Sequence, residues 1–332
     1  MEVVLSLILL IFICALFVFI AKKIKIPAVV ALILAGFFVS LPYFRNILIG
    51  SNSDFIFTLG DVGLISLMFL AGLEVSWKEL YKEKKDAFYI AIITSVVSFI
   101  IGFLAFFLLG FSLIVSLVIG IAMSVTAEAT RAKVLLDLKV LKTRVGSALM
   151  GVGIIDDLFG LGLFLILVLI LKTSFLRNDL MIVGAIVAFF IGIITSHFFA
   201  RNHSLIDRLE KALVWIVIPF FFISIGLNFD FSLFVLNPLL LIGMLVLGFS
   251  VKFIGVFASR RFVSFSKKQL LLISWAMNSR GAIELALALI AFKALLIPKD
   301  IYSSIIVMAL VTTAVFPFII THMIKKDKRI MN

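Results

Sequence analysis

The chain has 332 residues, of which 64% fall in the set AVILMFWYC and only 14% are charged, against roughly 25% charged in an ordinary soluble domain. That composition excludes a soluble globular enzyme, a disordered tail and a nucleic-acid module. The net charge of +12, from 30 Lys+Arg against 18 Asp+Glu, takes its meaning from where the basic residues fall along the chain.

A membrane-spanning helix needs about 20 mostly apolar residues. Runs of that kind lie at about 3–21, 26–42, 55–74, 87–109, 112–126, 145–171, 180–199, 209–228, 238–258, 269–292 and 301–324. They lack the short alternating segments of a membrane β-barrel. The expectation is an all-α polytopic membrane protein with about eleven spans and no sizeable soluble domain. The first run, Glu2 to Ala21, has neither a basic leader nor a small-residue cleavage site, and is read as a retained helix rather than a signal peptide. One cysteine, Cys14, and three scattered histidines, His197, His203 and His322, offer no disulfide framework and no metal cluster.

The basic residues test this partition. Connections after the odd-numbered runs and the C-terminal tail hold 23 of them, and the opposite connections hold 5. Arg131, Lys133, Lys139, Lys142 and Arg144 are counted in the connection after the fifth run. Such sorting places the N-terminus outside and the C-terminus in the cytoplasm of a cell membrane. Membrane lipid then accounts for the charge, and no nucleic-acid partner is required. Two basic residues, Lys252 and Arg280, fall inside apolar runs.

A charge at the bilayer centre costs at least a few kcal/mol, so each is a functional candidate. In Gly151-Val-Gly-Ile-Ile-Asp156-Asp157-Leu-Phe-Gly160 the nearest basic residue on the chain, Arg144, is 12 residues away, about 18 Å along a helix. Short Asp side chains cannot snorkel that far. Adjacent helical residues point about 100° apart, so one carboxylate can face a fixed cation while the other faces a water-filled cavity. Lys252, in Leu247-Gly-Phe-Ser-Val-Lys252-Phe-Ile-Gly255, offers the cation. It also lies close enough to Arg260 for its long stem to snorkel part of the way.

Two segments read as interrupted helices. Ala122-Met-Ser-Val-Thr126-Ala-Glu128-Ala-Thr130-Arg131 puts Ser124, Thr126 and Glu128 where an apolar helix should continue, unless the fifth run simply ends at Val125. Trp275-Ala-Met-Asn278-Ser279-Arg280-Gly281-Ala-Ile-Glu284 puts Asn278, Arg280 and Glu284 mid-span. Arg280 and Glu284, at i and i+4, can also pair with each other. Irregular backbone at membrane depth is tolerated only inside protein or along a cavity, and broken helices bring dipole ends to the midplane, where ions bind. Asp61 and Glu74 read as interfacial, and the Lys-rich stretch 78–85 as surface charge.

These residues resemble the monovalent cation/proton antiporters, in their sodium/proton branch with paired aspartates. The resemblance rests on Asp156-Asp157 following Ser124-x-Thr126 and Val134-Leu135. It extends to Pro27-Ala-Val-Val-Ala-Leu-Ile-Leu-Ala-Gly36, Phe69-Leu-Ala-Gly-Leu-Glu74, Pro219-Phe-Phe-Phe-Ile-Ser-Ile-Gly226 and Arg280-Gly-x-x-Glu284. It implies two inverted repeats, at 1–171 and 201–332 with a shortened connection at 172–200, whose two interrupted helices cross beside the carboxylates. It further implies a homodimer, and no cofactor beyond the transported Na⁺ or Li⁺ and H⁺. Asp157 would be the main ion and proton carrier, Asp156 would pair with Lys252, and Thr126 would be the crossing threonine. Na⁺ would be held by Asp157, Asp156 and Thr126, with Ser124 beside them and Glu128, Asn278, Arg280 and Glu284 supporting the crossing. The family has about twelve or thirteen helices, so this chain is shorter by about two between the Asp pair and Pro219.

The implied function is alternating-access exchange of Na⁺ (or Li⁺) for H⁺, without enzymatic chemistry. Na⁺ arrival would draw Asp156 from Lys252, which would release its own proton and make the cycle electrogenic. Two other readings share the composition: a K⁺/H⁺ antiporter or potassium efflux subunit, and a non-transporting membrane scaffold or sensor.

Overall fold

A computed structural model describes residues 2–48, 53–74, 85–126, 128–170, 180–199 and 203–332. Among these residues there are helices and no strands. The chain divides into two compact units, Met1–Val75 with Asn178–Asp230, and Ser76–Arg177 with Phe231–Asn332. Each unit therefore draws on both halves of the sequence.

The first unit holds α1 (Glu2–Lys23), α2 (Ala28–Ser40), α3 (Pro42–Leu48), α4 (Ser53–Glu74), α9 (Leu180–Phe199), α10 (His203–Ile216) and α11 (Ile218–Leu227). Its helices cross at glycines. A Cβ on Gly36 of α2 would collide with the Ile223 carbonyl oxygen of α11, and one on Gly226 with the Ile33 carbonyl oxygen. Gly72 of α4 and Gly192 of α9 meet in the same way, against the carbonyls of Phe189 and Phe69. Between apolar helices in lipid no hydrophobic force separates one partner from another, so close backbone approach over small residues supplies the attraction. Three motifs quoted above end on or contain these glycines, and close packing is what they do in this unit.

The second unit holds α5 (Lys85–Leu108), α6 (Leu113–Ser124), α7 (Glu128–Asp137), α8 (Arg144–Ile170), α12 (Leu233–Leu236), α13 (Pro238–Ala258), α14 (Lys267–Ala276), α15 (Ala282–Lys293) and α16 (Lys299–Lys326). At one end Arg144 meets Asp86 at 3.2 Å and donates to the Ser264 hydroxyl, joining the starts of α5 and α8 to the connection before α14. Asn237 donates to Asp300 at 3.2 Å, tying the start of α13 to that of α16.

Seven stretches among the described residues are long and apolar enough to cross a membrane, and three further apolar helices, Ala28–Ser40, Leu113–Ser124 and Met181–Ser196, are shorter. The chain is a multi-pass membrane protein. The expected run 209–228 is one of the seven, Arg208–Leu227, with a single turn residue, Val217, between α10 and α11. Pro219 stands in the first turn of α11, where its missing N–H costs nothing and its fixed φ starts a new helix. The run at 112–126 is α6, which stops at Ser124 before α7 begins at Glu128, and the run at 269–292 is divided, α14 stopping at Ala276 before α15 begins at Ala282. Both expected interruptions are therefore present.

Candidate functional site

The site forms inside the second unit, where the two interruptions meet α8 and α13. The last four carbonyls of a helix lack partners within it and carry the negative end of its dipole. For α6 those orphans belong to the buried residues Ala122, Met123, Ser124 and Val125, so each must be satisfied by protein. Arg280 supplies most of the donors. One guanidinium nitrogen donates to the carbonyls of Ala122 (3.2 Å), Met123 (3.0 Å) and Val125 (3.0 Å), and another to that of Gly248 on α13 (3.2 Å). Lys252 Nζ donates to the remaining carbonyl, Ser124, at 2.6 Å. Val125 is extended (φ −86°, ψ 152°), which turns the chain out of the helix.

The second interruption is fastened by its own side chains. Asn278 Nδ2 donates to the Ser274 carbonyl at 2.9 Å, closing the end of α14. Thr313 of α16 donates to the Arg280 carbonyl at 2.8 Å and accepts from the Arg280 N–H at 3.2 Å. Gly281, in extended backbone, opens α15, and Glu284 sits in its first turn. The Arg280 Nε lies 3.8 Å from Glu284, both side chains fully buried. The i,i+4 pairing and the capping of α6 are thus done by one residue at once. Glu128 occupies the first turn of α7, so each second limb begins with a carboxylate, the sign that a helix N-terminus favours.

Asp156 is fully buried on α8. One carboxylate oxygen accepts from Ser95 of α5, and the other from Thr126 at 3.1 Å. Lys252 Nζ stands 3.5 Å from the same second oxygen. Lys252 is 0% exposed, so its stem does not snorkel: it ends between a helix terminus and a carboxylate. Asp157, the next residue, is only partly buried. Two glycines of α8 let the first interruption come this close. A Cβ on Gly160 would collide with Val125, and one on Gly153 would lie 2.5 Å from an Arg131 guanidinium nitrogen and 3.0 Å from Glu128 Cβ.

The structure thus brings Asp156, Thr126, Lys252, Arg280, Glu284, Asn278 and Glu128 into one unit around the interruptions. Ser124 takes part through its main-chain carbonyl, while its hydroxyl donates back to Ile121 at 2.7 Å. Asp61 lies partly buried on α4 in the first unit. The side chain of Glu74 and residues 78–84 of the Lys-rich stretch lie outside the described residues.

Three residues escaped the sequence reading. Ser95 belongs to a hydroxyl-bearing row, Thr94, Ser95 and Ser98, all fully buried on α5, and such a row in an apolar helix was the available signal. Thr313 carried none. Arg131 was counted with the connection charges, but it is 0% exposed. The reason is that α7 continues past the interruption to Asp137, so Arg131 belongs with Lys252 and Arg280 as a basic residue inside the protein.

The sequence matches the family described as "Sodium/hydrogen exchanger, transmembrane" over residues 8–183 and 160–326. It is 25% identical to a "Na(+)/H(+) antiporter" of Enterococcus hirae, over 92% of this chain and 94% of that one. It is 26% identical to the "Probable Na(+)/H(+) antiporter 3" of Methanocaldococcus jannaschii, over 91% of each. A relative in Bacillus cereus, 22% identical over 80% of this chain and 82% of its own, is named "Na(+)/H(+)-K(+) antiporter GerN". The fold is similar to that of the sodium proton antiporter MjNhaP1 from Methanocaldococcus jannaschii at pH 8, with a TM-score of 0.64 and 18% identity over 98% of both chains.

Proposed function

The chain belongs to the sodium/hydrogen exchanger family, and from that premise we propose that it is a secondary antiporter exchanging Na⁺ (or Li⁺) for H⁺. The observation that carries the proposal is the asymmetry of the aspartate pair. Asp156 is held by Ser95, Thr126 and Lys252, while Asp157, about 100° round the same helix, is partly exposed. A fully buried, charge-balanced carboxylate beside a partly buried one suits competition between a hard cation and a proton. Asp157 is the carrier. Asp156 and the Thr126 hydroxyl add oxygens to a Na⁺ held there, as such cations require.

Exchange proceeds by alternating access and is electrogenic. When Na⁺ recruits Asp156, Lys252 loses its counter-charge, and a buried ammonium without one is costly. It gives up its proton, so two protons move against one sodium. The repeats 1–171 and 201–332 are inverted copies, each with one interrupted helix. In support, each contributes one stretch to either unit, and the second limb of each interruption starts with a carboxylate. The chain acts as a homodimer in the cell membrane, with the N-terminus outside and the C-terminus in the cytoplasm. With Arg131 placed among the buried residues, the charge sorting still stands at 22 against 5.

The test is collapse of a pH gradient in everted vesicles on adding Na⁺, Li⁺ or K⁺. The wild type should respond to Na⁺ and Li⁺, and Asp157→Asn should not. Robust exchange in that variant would remove the central claim, and a response to K⁺ alone would select the potassium reading that the Bacillus cereus relative's name makes worth including.

A further inference from the structure

Arg131 is a buried charge that neither the ion exchange nor the fastening of the interruptions above uses. None of its three side-chain nitrogens has a hydrogen-bond partner among the described residues, although a guanidinium brings five N–H donors. A buried charge in that condition is costly. It is not held by a bidentate fork, so its position is set by packing and by the surrounding field. The packing is definite: its terminal nitrogen lies over Gly153, where a Cβ would approach to 2.5 Å. Gly153 is three and four residues before Asp156 and Asp157, one turn back on the same face of α8. That is about 4.5–6 Å along the helix. Arg131 interacts electrostatically with Asp156, Glu128 and Asp157, and opposes Lys252.

The guanidinium charge adds a positive potential at the place where a cation must bind. We propose that Arg131 is an affinity-setting residue, a tethered cation packed beside the aspartate pair that every incoming Na⁺ must share the site with. It weakens Na⁺ binding and hastens release without touching the ion. The proposal rests on the antiporter reading and adds a determinant of affinity to it.

The experiment measures the Na⁺ concentration that half-saturates thermal stabilisation of the full chain in detergent, and the KM and kcat for Na⁺ in liposomes. Choline chloride keeps ionic strength constant throughout. Arg131→Lys keeps the charge and should stay within about twofold of wild type. Arg131→Gln removes it and should lower half-saturation and KM about tenfold, equivalent to about 1.4 kcal/mol, with kcat no higher. Gly153→Ala displaces the guanidinium while leaving it charged, and should fall between the two; it also carries the test if Arg131→Gln does not fold. Unchanged or raised half-saturation in folded Arg131→Gln, or in folded Gly153→Ala, overturns the proposal. A wild type that shows neither Na⁺-dependent stabilisation nor exchange sinks the antiporter reading and this inference with it. A wild type that responds beside unshifted variants sinks only the role of Arg131.

Discussion

Replacing Arg280 with Met tests the idea that one side chain holds the first interruption together. Met fills much of the volume but donates nothing. Four buried carbonyls, those of Ala122, Met123, Val125 and Gly248, lose their Arg280 donor together. Each buried acceptor left unsatisfied costs about 1–3 kcal/mol, so the loss is of order 4 kcal/mol or more. Glu284, fully buried 3.8 Å from Arg280, is left without that ion pair, and breaking a buried pair from one side costs about 3–5 kcal/mol. Together these approach the whole net stability of an ordinary protein, about 5–15 kcal/mol. Arg280→Met should therefore express poorly or melt far below wild type in detergent, followed by size-exclusion recovery after heating. Arg280→Lys retains three donors and should be intermediate. Arg280→Met with Glu284→Gln removes the stranded carboxylate and should recover part of the loss. A melting temperature for Arg280→Met within about 2 °C of wild type would refute the reasoning, for at roughly 2–4 °C per kcal/mol the shift should be far larger. A double variant no better than the single one would show that the Glu284 pairing contributes nothing.

Lys252→Met should leave Asp156 with Ser95 and Thr126 and remove the second titrating group, so any exchange that survives should carry no net current in liposomes; a sodium-dependent current of wild-type size would count against two protons per sodium. Gly160→Ala puts a methyl group into Val125 at the α6 interruption. Overpacking of that kind costs about 1–3 kcal/mol, and the variant should lose exchange rate and thermal stability together, whereas Gly162→Ala, whose Cβ would meet nothing within 4 Å, should lose neither.

Much of this protein was legible because the bilayer restricts what a chain can do. The paired aspartates, Lys252 and the Arg280-to-Glu284 segment stood out because polar residues in apolar runs are costly and rare. Both interruptions could be read from the same signal. What escaped depended on partners far apart in sequence. Ser95 is an ordinary helical hydroxyl until α5 lies beside α8. Gly36 with Gly226, and Gly72 with Gly192, appeared as motif residues without a reason until the helices were seen to cross at them.

By itself, then, the sequence determined that this chain lives in a membrane, how its basic residues are sorted, and which few charges do not belong to the sorting. Those properties follow from transfer energies, which each residue carries wherever it lies. Only the tertiary structure decided what each buried charge does. Arg280 closes the carbonyl end of α6, Lys252 stands between Ser124 and Asp156, and Arg131 leaves the connection charges to pack over Gly153. The 23 basic residues first counted as orientation signals include one that is nothing of the kind. The physical reason is that the energy of a buried charge depends on what surrounds it within a few ångströms, and those neighbours come from other helices, for Arg280 and Lys252 as far off in sequence as Ala122 and Ser124.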